Sequence, residues 1–512
     1  MGAAGTNPST RSQRPSSWRT GPEGTAVALA AVYAVVLGGA IAAKAYPVAL
    51  LPICVGIVAL ALARRDLLLL GLVASVPLSL NLEQLEIGGI GFYLPTEPLL
   101  FGLLLLFALD RLRGLPLNPG LEAHPITRCI QLMFIWLFIT TLTSEDPLVS
   151  FKFLIARGWF VVGFFFLLAP LVRIKRHQER FVLLYLVPLL AVITYTVIRH
   201  AGYGFEKQAG HWVMDPFFKD HTSYGAVLAM FWFPALVMFL KPRPNSLKKL
   251  ALGGAFLILS IGLILSFTRA AWVSVAAAGG IGALMMLGFR LRTLLAGGVL
   301  GLFMVLLIWD QLIISLERND QDSSDDLTEH VESISNVSSD ASNLERINRW
   351  SCAIALWRER PVVGWGPGTY QFQYAPYQRS EHRTIISTNN ADRGNAHSEY
   401  LGPLAEQGIP GSIVMVLFLW LSTVMGFRVY SQLRRTDRWA SLWALSIYLG
   451  LLTYFIHGVL NNYLDTDKAS APFWGFLAIL VALDLSLRKT ESLTAPYRQL
   501  DSPSPDGAPI PQ

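Results

Sequence analysis

The chain of 512 residues is 53% hydrophobic and only 15% charged, and its mean hydropathy is +0.45. This composition excludes an ordinary set of soluble domains and indicates an all-α polytopic membrane protein. The net charge of +6 does not indicate a nucleic-acid partner, because no basic patch is interleaved with aromatic residues. The three cysteines, Cys54, Cys129 and Cys352, lie in or beside apolar runs or stand alone, so they predict neither a disulfide framework nor a zinc site.

Apolar runs recur from residue 25 almost to the C-terminus, and most are long enough to cross about 30 Å of hydrocarbon as a helix. We count fourteen of them, of which the third is short and the ninth and tenth nearly touch, so we predict about 12 to 14 transmembrane helices. The predicted spans are 25–43, 47–63, 67–82, 94–110, 128–143, 156–172, 181–199, 222–240, 250–267, 270–289, 293–311, 410–428, 439–457 and 471–487.

Basic residues concentrate in every second connection between these runs, whereas the intervening short connections include acidic stretches such as NLEQLE and TSEDP. The positive-inside rule therefore predicts that both termini are cytoplasmic. The resulting organisation is listed in chain order: a disordered tail over 1–24, a transmembrane bundle of about 11 spans over 25–311, a large outward-facing loop domain over 312–409, about three further spans over 410–487, and a disordered tail over 488–512. An alternative for the N-terminus is a signal peptide cleaved near AKA at 43–45.

The large loop begins with an acidic, serine-rich strip over 317–341, which we interpret as a mobile spacer. Ser342 and Glu345 then form the pattern of a capping box, and Pro361 ends the helix that this box would start. Apolar residues at helical spacing predict that this short helix lies at the membrane surface; they are Ile347, Trp350, Ile354 and Trp357.

Two arginines lie three residues apart on this loop helix, Arg346 and Arg349. Their guanidinium groups can reach one place, and two planar forks suit the several oxygens of a diphosphate. The alternative is that both side chains extend to the lipid headgroups. The segment PVVGWGPGTY that follows predicts a tight, non-helical turn.

The stretch RGNAHSEYLGPLAEQGIPG places His397, Glu399 and Glu406 at the aqueous end of an apolar run. Histidine is the side chain best suited to accept a proton near neutral pH, so His397 is a candidate general base. The two glutamates are candidates for orienting it or for binding substrate, and Glu406 could equally serve the start of the helix.

Ionisable residues inside or at the edge of membrane segments are costly and mark functional sites. Arg269 in LSFTRAAW stands between two apolar runs, which favours an outward-facing polar cavity, and Arg157 in FLIARGWF lies nearer the end of a run. Further ionisable residues fall on the same predicted face: His211, Asp215, Lys219, Asp220, His221, His457, Asp465 and Asp467. This concentration indicates chemistry on a lipid-linked polar substrate that arrives from the outer leaflet.

These residues and motifs resemble the O-antigen ligase and O-antigen polymerase superfamily of membrane glycosyltransferases. The resemblance is strongest over RINRW, ERPVVGWGPGTY and AHSEYLGPLAEQGIPG, and it extends to LSFTRAAW and to one large loop late in the chain. Members commonly have about twelve spans and a His-Asn pair, whereas this chain has Ser398 after His397.

The resemblance implies transfer of a glycan from undecaprenyl diphosphate to a sugar hydroxyl, commonly on lipid A-core, with inversion and without a metal or other cofactor. The site would face the periplasm at the bacterial inner membrane. Arg269 and Arg346 would stabilise the leaving diphosphate, and His397 would accept the proton of the attacking hydroxyl. Binding roles fall to Arg349, Glu399, Glu406 and Arg157.

Three other activities remain open from the sequence. A polymerase would join lipid-linked repeat units to each other, and the outer loop with Arg199, Lys207 and Lys219 could then hold a second diphosphate. Transfer to protein hydroxyls would use the same donor. A transporter of lipid-linked glycans is less consistent with the chain, because no internal repeat is evident and the charges gather near one face.

Overall fold

A computed structural model describes residues 31–39, 42–43, 46–81, 93–242, 246–307, 341–380, 387 and 394–500. The chain divides into two compact units, residues 1–68 and residues 69–512. The predicted N-terminal tail and nearly all of the acidic strip lie outside the described residues. All candidate site residues belong to the second unit.

Helices dominate the described residues, which confirms the predicted all-α class. The helices are α1 (Tyr46–Ala63), α2 (Arg65–Ser75), α3 (Thr96–Leu112), α4 (Pro119–Glu122), α5 (Pro125–Leu142), α6 (Pro147–Val161), α7 (Leu168–Leu171), α8 (Lys175–Ala201), α9 (His221–Leu240), α10 (Ser246–Leu265), α11 (Arg269–Met286), α12 (Leu291–Leu307), α13 (Ala341–Glu359), α14 (Tyr370–Gln373), α15 (Leu401–Leu433), α16 (Arg438–His457) and α17 (Asp467–Leu500). A two-residue antiparallel pair, β1 (Leu80–Asn81) and β2 (Tyr93–Leu94), aligns Leu80 with Leu94.

Nine helices among the described residues are long and apolar enough to cross a membrane, and together they make the chain a multi-pass membrane protein. One of the nine combines α6 and α7 through a π-helical turn over Val162–Phe166. The predicted third span is instead the 11-residue helix α2 followed by a 3-10 turn, and α3 has 17 residues. The first and eleventh predicted spans extend beyond the described residues.

The centre of the second unit is α17, where 83% of the apolar stretch is buried. Its neighbours include α15 and α16, while α9 packs against α10, α11 and α16. In contrast, only 22% of α10 is buried, which is expected of a helix at the lipid-facing edge. Three charged residues of α17 are buried within the bundle, namely Asp467, Lys468 and Asp484.

A buried charge cluster joins three helices at the end of the bundle where α17 reaches residue 484. The carboxylate of Asp484 is fully buried and accepts hydrogen bonds from His124 Nε2 at 3.2 Å and from Arg488 Nε at 2.7 Å. Arg428 of α15 also donates to it. His124 Nδ1 accepts the N–H of Ile126, so this imidazole caps α5 as well. The cluster ties the start of α5 to the far ends of α15 and α17.

Two helix boundaries differ from the prediction. Helix α13 begins at Ala341, so Ser342 lies inside it, and Glu345 pairs with Arg349 instead of completing a capping box. The predicted end before Pro361 is confirmed at Glu359. Helix α17 continues to Leu500, past the predicted boundary at 487; residues 489–495 contain no glycine or proline that would end it, and the helix also includes Pro496.

Candidate functional site

His397 lies in a short turn that leads into α15. Its φ is 46°, a left-handed backbone conformation that is uncommon for a residue with a side chain and is often found at functional sites. The indole Nε1 of Trp350 donates to the carbonyl of His397 at 3.4 Å. The N–H of His397 donates to Asn395 Oδ1 at 3.0 Å. The turn that carries the predicted base is therefore held directly against α13.

Helix α13 brings its two arginines to this turn. The chain at Gly394 packs so closely on Arg349 that a Cβ there would lie 1.6 Å from Nη1. Arg349 is 3% exposed, donates from Nε to Glu345 Oε1 at 2.6 Å, and lies 3.9 Å from the ring centre of Tyr374. Arg346 is half-buried on a neighbouring face. Arg349 thus supports the turn from within the loop domain, while Arg346 is the more accessible cation.

The packed face of α13 differs from the predicted apolar face. The buried cluster contains Cys352, Ala353 and Leu356 together with Tyr370 and Tyr374, and it reaches α15 through Ala405. Of the predicted apolar residues, Ile347 is buried, but Trp350, Ile354 and Trp357 are only half-buried. The loop helix is therefore part of a folded domain and does not lie on the membrane by one apolar face alone.

Glu406 holds the glycine-rich segment after α13. Its Oε1 accepts the N–H of Tyr370 at 3.0 Å, and its backbone carbonyl accepts the N–H of Gly366 at 2.8 Å. The neighbouring carbonyl of Ala405 accepts the N–H of Trp365 at 3.1 Å. The predicted substrate-binding role of Glu406 stays a prediction, and the observed contacts give it a structural role in the loop.

Helix α15 is kinked at Gly408, where φ is 70° and ψ is −167°. That conformation is essentially restricted to glycine, and a Cβ there would lie 2.1 Å from the carbonyl oxygen of Val362. We expect Gly408→Ala to cost about 1–3 kcal/mol of stability and to displace the glycine-rich segment, with a loss of transfer rate of at least about tenfold. Thermal unfolding in detergent and a transfer assay measure the two effects.

The matched control is Gly402→Ala in the same helix, because a Cβ at this position would meet nothing closer than 3.7 Å. We expect it to change stability by less than about 0.5 kcal/mol. Equal behaviour of the two variants would contradict the role assigned to the kink.

Glu399 and Arg157 meet at the turn between α16 and α17. Arg157 Nη1 donates to the carbonyl of Leu464 at 2.9 Å, and Glu399 makes its hydrogen bonds to the same turn. Both residues also line a cavity that encloses about 440 Å³ including its mouth. The remaining walls of this cavity are mostly apolar and include Phe153, Met415 and Trp474.

Arg269 is the first residue of α11 and is half-buried. Phe267, two residues earlier, has a φ of 48°, so the backbone of this turn is also left-handed at one residue. Thr268 Oγ1 donates to the carbonyl of His221 at 2.8 Å, which fixes the turn against the start of α9. Ala270, the next residue, interacts through its backbone with His457 at the end of α16.

Three residues without a predicted role complete the surroundings: Asp220, His457 and Tyr463. Asp220 caps α9 by accepting the N–H of Ser223 at 2.7 Å, and its charge acts on His397, His457 and Tyr463. Thr222 and Tyr463 share a hydrogen bond. Sequence patterning placed Asp220 and His457 on the same face as His397, but no spacing rule links helices so far apart in the chain.

Two arginines dominate the charge around His397. Burial is the largest cause that lowers the pKa of His397, the charges of Arg346 and Arg349 act in the same direction, and Glu345 and Asp220 oppose them, which leaves the pKa at about 4. The imidazole is therefore neutral at pH 7 and free to accept a proton. Arg346 also acts on His457 and Tyr463, so its charge reaches the residues beside α11 as well.

Asp465 is a further acidic residue on this side of the molecule. It is exposed to solvent, but surrounding protein raises the pKa of its carboxyl, and repulsion from Glu399 adds to this effect. The charges of Arg157 and Lys219 act in the opposite direction. The carboxyl of Asp465 therefore takes up a proton more readily than that of a free aspartate.

Within the described ranges, no group of three or more His, Cys, Asp or Glu side chains has the arrangement to hold a metal ion. The predicted site residues nevertheless collect at one end of the bundle. The turn that carries His397 packs on Arg349, the charge of Arg346 acts on His397, and Arg269 precedes Ala270, which interacts with His457. Glu399, Glu406 and Arg157 support the surrounding segments.

Comparison with known proteins supports the resemblance that the motifs indicated. No curated protein matches the chain. Residues 254–416 match the model of the O-antigen ligase family. The match covers about a third of the chain and includes Arg269, Arg346, Arg349, His397, Glu399 and Glu406. This chain therefore carries, over residues 254–416, a domain of the O-antigen ligase superfamily.

Proposed function

We propose that the protein transfers a glycan from undecaprenyl diphosphate to a sugar hydroxyl, commonly on lipid A-core, at the periplasmic face of the bacterial inner membrane. One observation carries this proposal: His397, which has a neutral imidazole and a left-handed backbone, is held against α13, the helix that bears Arg346 and Arg349. A base beside fixed cations is the combination that a glycosyl diphosphate donor requires.

In the proposed reaction, the acceptor oxygen attacks the anomeric carbon from the side opposite the diphosphate. A new C–O bond forms as the bond to the diphosphate oxygen breaks, so the configuration inverts. The acceptor proton passes to the imidazole of His397. Arg346 and Arg269 stabilise the negative charge that grows on the leaving diphosphate, and Arg349 adds support from behind.

The negative charge of the bound donor is expected to change the pKa of His397. In the free protein the pKa of His397 is lowered by burial and by Arg346 and Arg349. A bound diphosphate offsets those two positive charges and so raises the pKa of the imidazole when the acceptor hydroxyl is present. His397 is then a better proton acceptor in the complex than in the free enzyme.

The cavity beside Arg157 suits the lipid part of the donor. Its walls are mostly apolar, and they include Phe153, Val414 and Met415, whereas Arg157 and Glu399 are the charged residues of its lining. We place the first isoprenoid units of the donor in this cavity, with the diphosphate directed toward the arginines. Arg157 thereby keeps its predicted binding role while it also supports the turn at Leu464.

Ligation is favoured over polymerisation by the contacts of Arg199. A polymerase needs a second diphosphate site, for which the outer loop with Arg199, Lys207 and Lys219 was the candidate, and Arg199 is the one arginine of the three. The guanidinium donates to the carbonyl of Asp215 at 2.5 Å and to the hydroxyl of Tyr195 at 3.1 Å, and it lies 5.0 Å from the ring centre of Trp212. Arg199 therefore uses its guanidinium group for contacts within its own loop, which does not favour a role in binding a second diphosphate.

A reconstitution experiment tests the proposal. Purified protein is given a lipid-linked single repeat unit, with or without a lipid A-core acceptor. We expect one repeat unit to be added to the acceptor, without a series of longer products, and no product when the acceptor is absent. Chain lengthening without the acceptor would instead establish polymerisation, and absence of any transfer under both conditions would contradict glycosyl transfer.

A further inference from the structure

The Glu399 carboxylate accepts hydrogen bonds from three donors, one near the end of α16 and two in the turn that follows this helix. Its Oε1 accepts the hydroxyl of Tyr454 at 2.5 Å, the N–H of Tyr463 at 2.8 Å and the N–H of Leu464 at 3.0 Å. Its own N–H donates to the carbonyl of Gly458 at 2.7 Å. Glu399 is only 5% exposed. Both the backbone and the side chain of this residue are therefore fixed to the segment 458–464.

Glu399 lies two residues after His397, whose left-handed backbone belongs to no helix or strand. Such a conformation persists only when the flanking structure determines it. Trp350 holds the carbonyl of His397 on one side. The hydrogen bonds of Glu399 hold the chain on the other side, and Arg157 binds the carbonyl of Leu464 in the same turn.

All three donors to Glu399 Oε1 are neutral groups, namely one phenol and two backbone amides. A neutral amide oxygen can accept the same three hydrogen bonds. The geometry thus requires an acceptor oxygen at this position and does not require a negative charge.

We propose that Glu399 is a positioning residue that fixes the orientation of His397 by anchoring its turn to the segment 458–464, and that its oxygen rather than its charge performs this task. The inference rests on the proposed function for the role of His397. It replaces the substrate-binding role expected from the sequence, because the oxygen with the buried contacts faces the protein.

Two substitutions at Glu399 separate positioning from binding or catalysis by a charged carboxylate. Glu399→Gln keeps the acceptor oxygen, so we expect kcat within about threefold of the wild type. Glu399→Ala removes it, and we expect kcat to fall by at least about 100-fold while KM for the lipid-linked donor changes by less than about threefold. Equal loss in both variants would overturn the proposal, and so would a wild-type kcat in Glu399→Ala.

Tyr454 provides a second test that does not alter Glu399. Tyr454→Phe removes one of the three donors, and we expect a loss of about fivefold in kcat. The control is Tyr448→Phe on the same helix, where the lost hydroxyl donates to Thr423 at 3.3 Å instead. If Glu399→Ala fails to fold, the Gln and Tyr454 variants decide the question. Equal rates for Tyr454→Phe and Tyr448→Phe would count against the anchor.

A readout without activity separates this proposal from the proposed function. Diethyl pyrocarbonate modifies imidazoles, and mass spectrometry reports the rate at His397 itself. We expect the rate to rise in Glu399→Ala and to match the wild type in Glu399→Gln. A protein that transfers no glycan but shows this pattern would refute the function and retain the anchor, whereas unchanged rates in an active Glu399→Ala protein would refute the anchor alone.

Discussion

Replacing His397 with alanine should reduce glycan transfer by at least about 10²-fold, because the acceptor hydroxyl would lose its proton acceptor. The chain should still insert into the membrane, since His397 lies in the turn before α15 and outside the membrane-spanning helices. The measurement is a single-turnover transfer rate with a lipid-linked glycan in detergent, together with the midpoint of thermal unfolding.

The left-handed backbone at position 397 calls for a second variant. His397→Asn introduces a residue type that tolerates positive φ, so its inactivity could not be attributed to backbone strain. His177→Ala is the matched control, because His177 lies in the first turn of α8, at the end of that helix opposite the site. Wild-type transfer in both His397 variants would remove this residue as the base.

Substitution of Arg346 should produce two separable effects. Arg346→Lys keeps the positive charge but cannot bind two phosphate oxygens in a planar fork, so we expect a loss of about 10- to 100-fold in kcat. Arg346→Ala should lose more. Arg358→Lys is the control, since Arg358 is exposed on the same helix.

The pH dependence distinguishes the two Arg346 variants. The charge of Arg346 lowers the pKa of His397, so its removal in Arg346→Ala should raise that pKa. A general base works above its pKa, and the acidic limb of kcat/KM should therefore move to higher pH in Arg346→Ala and stay near the wild-type position in Arg346→Lys. An unchanged limb in Arg346→Ala would show that Arg346 and His397 are not neighbours in the working enzyme.

Local pattern was sufficient to predict most of the helices. Apolar runs of the required length became α5, α9, α10, α11 and α16 nearly at the predicted bounds, because each run is both helix-forming and long enough to cross the membrane. The third run failed because Pro77 and the segment after it end α2 after 11 residues. The apolar character of a run therefore does not by itself predict where its helix ends.

The site was predictable only in part. Motif spacing indicated His397 and the arginines of α13, and the charge-derived topology placed them on one face. It could not show that Arg349 pairs with Glu345, or that Glu399 binds a turn more than sixty residues later in the chain. Those contacts depend on how α15, α16 and α17 meet, and no periodicity within a single helix encodes that arrangement.

The buried cluster at Asp484 has a mechanical consequence. It fastens α5, α15 and α17 together about 25 Å along α17 from the end where the candidate site lies. Separating these partners would leave the buried Asp484 carboxylate without compensation, which is costly. We therefore expect relative movement of these three helices to be smallest at the Asp484 cluster and larger toward their opposite ends, near the candidate site.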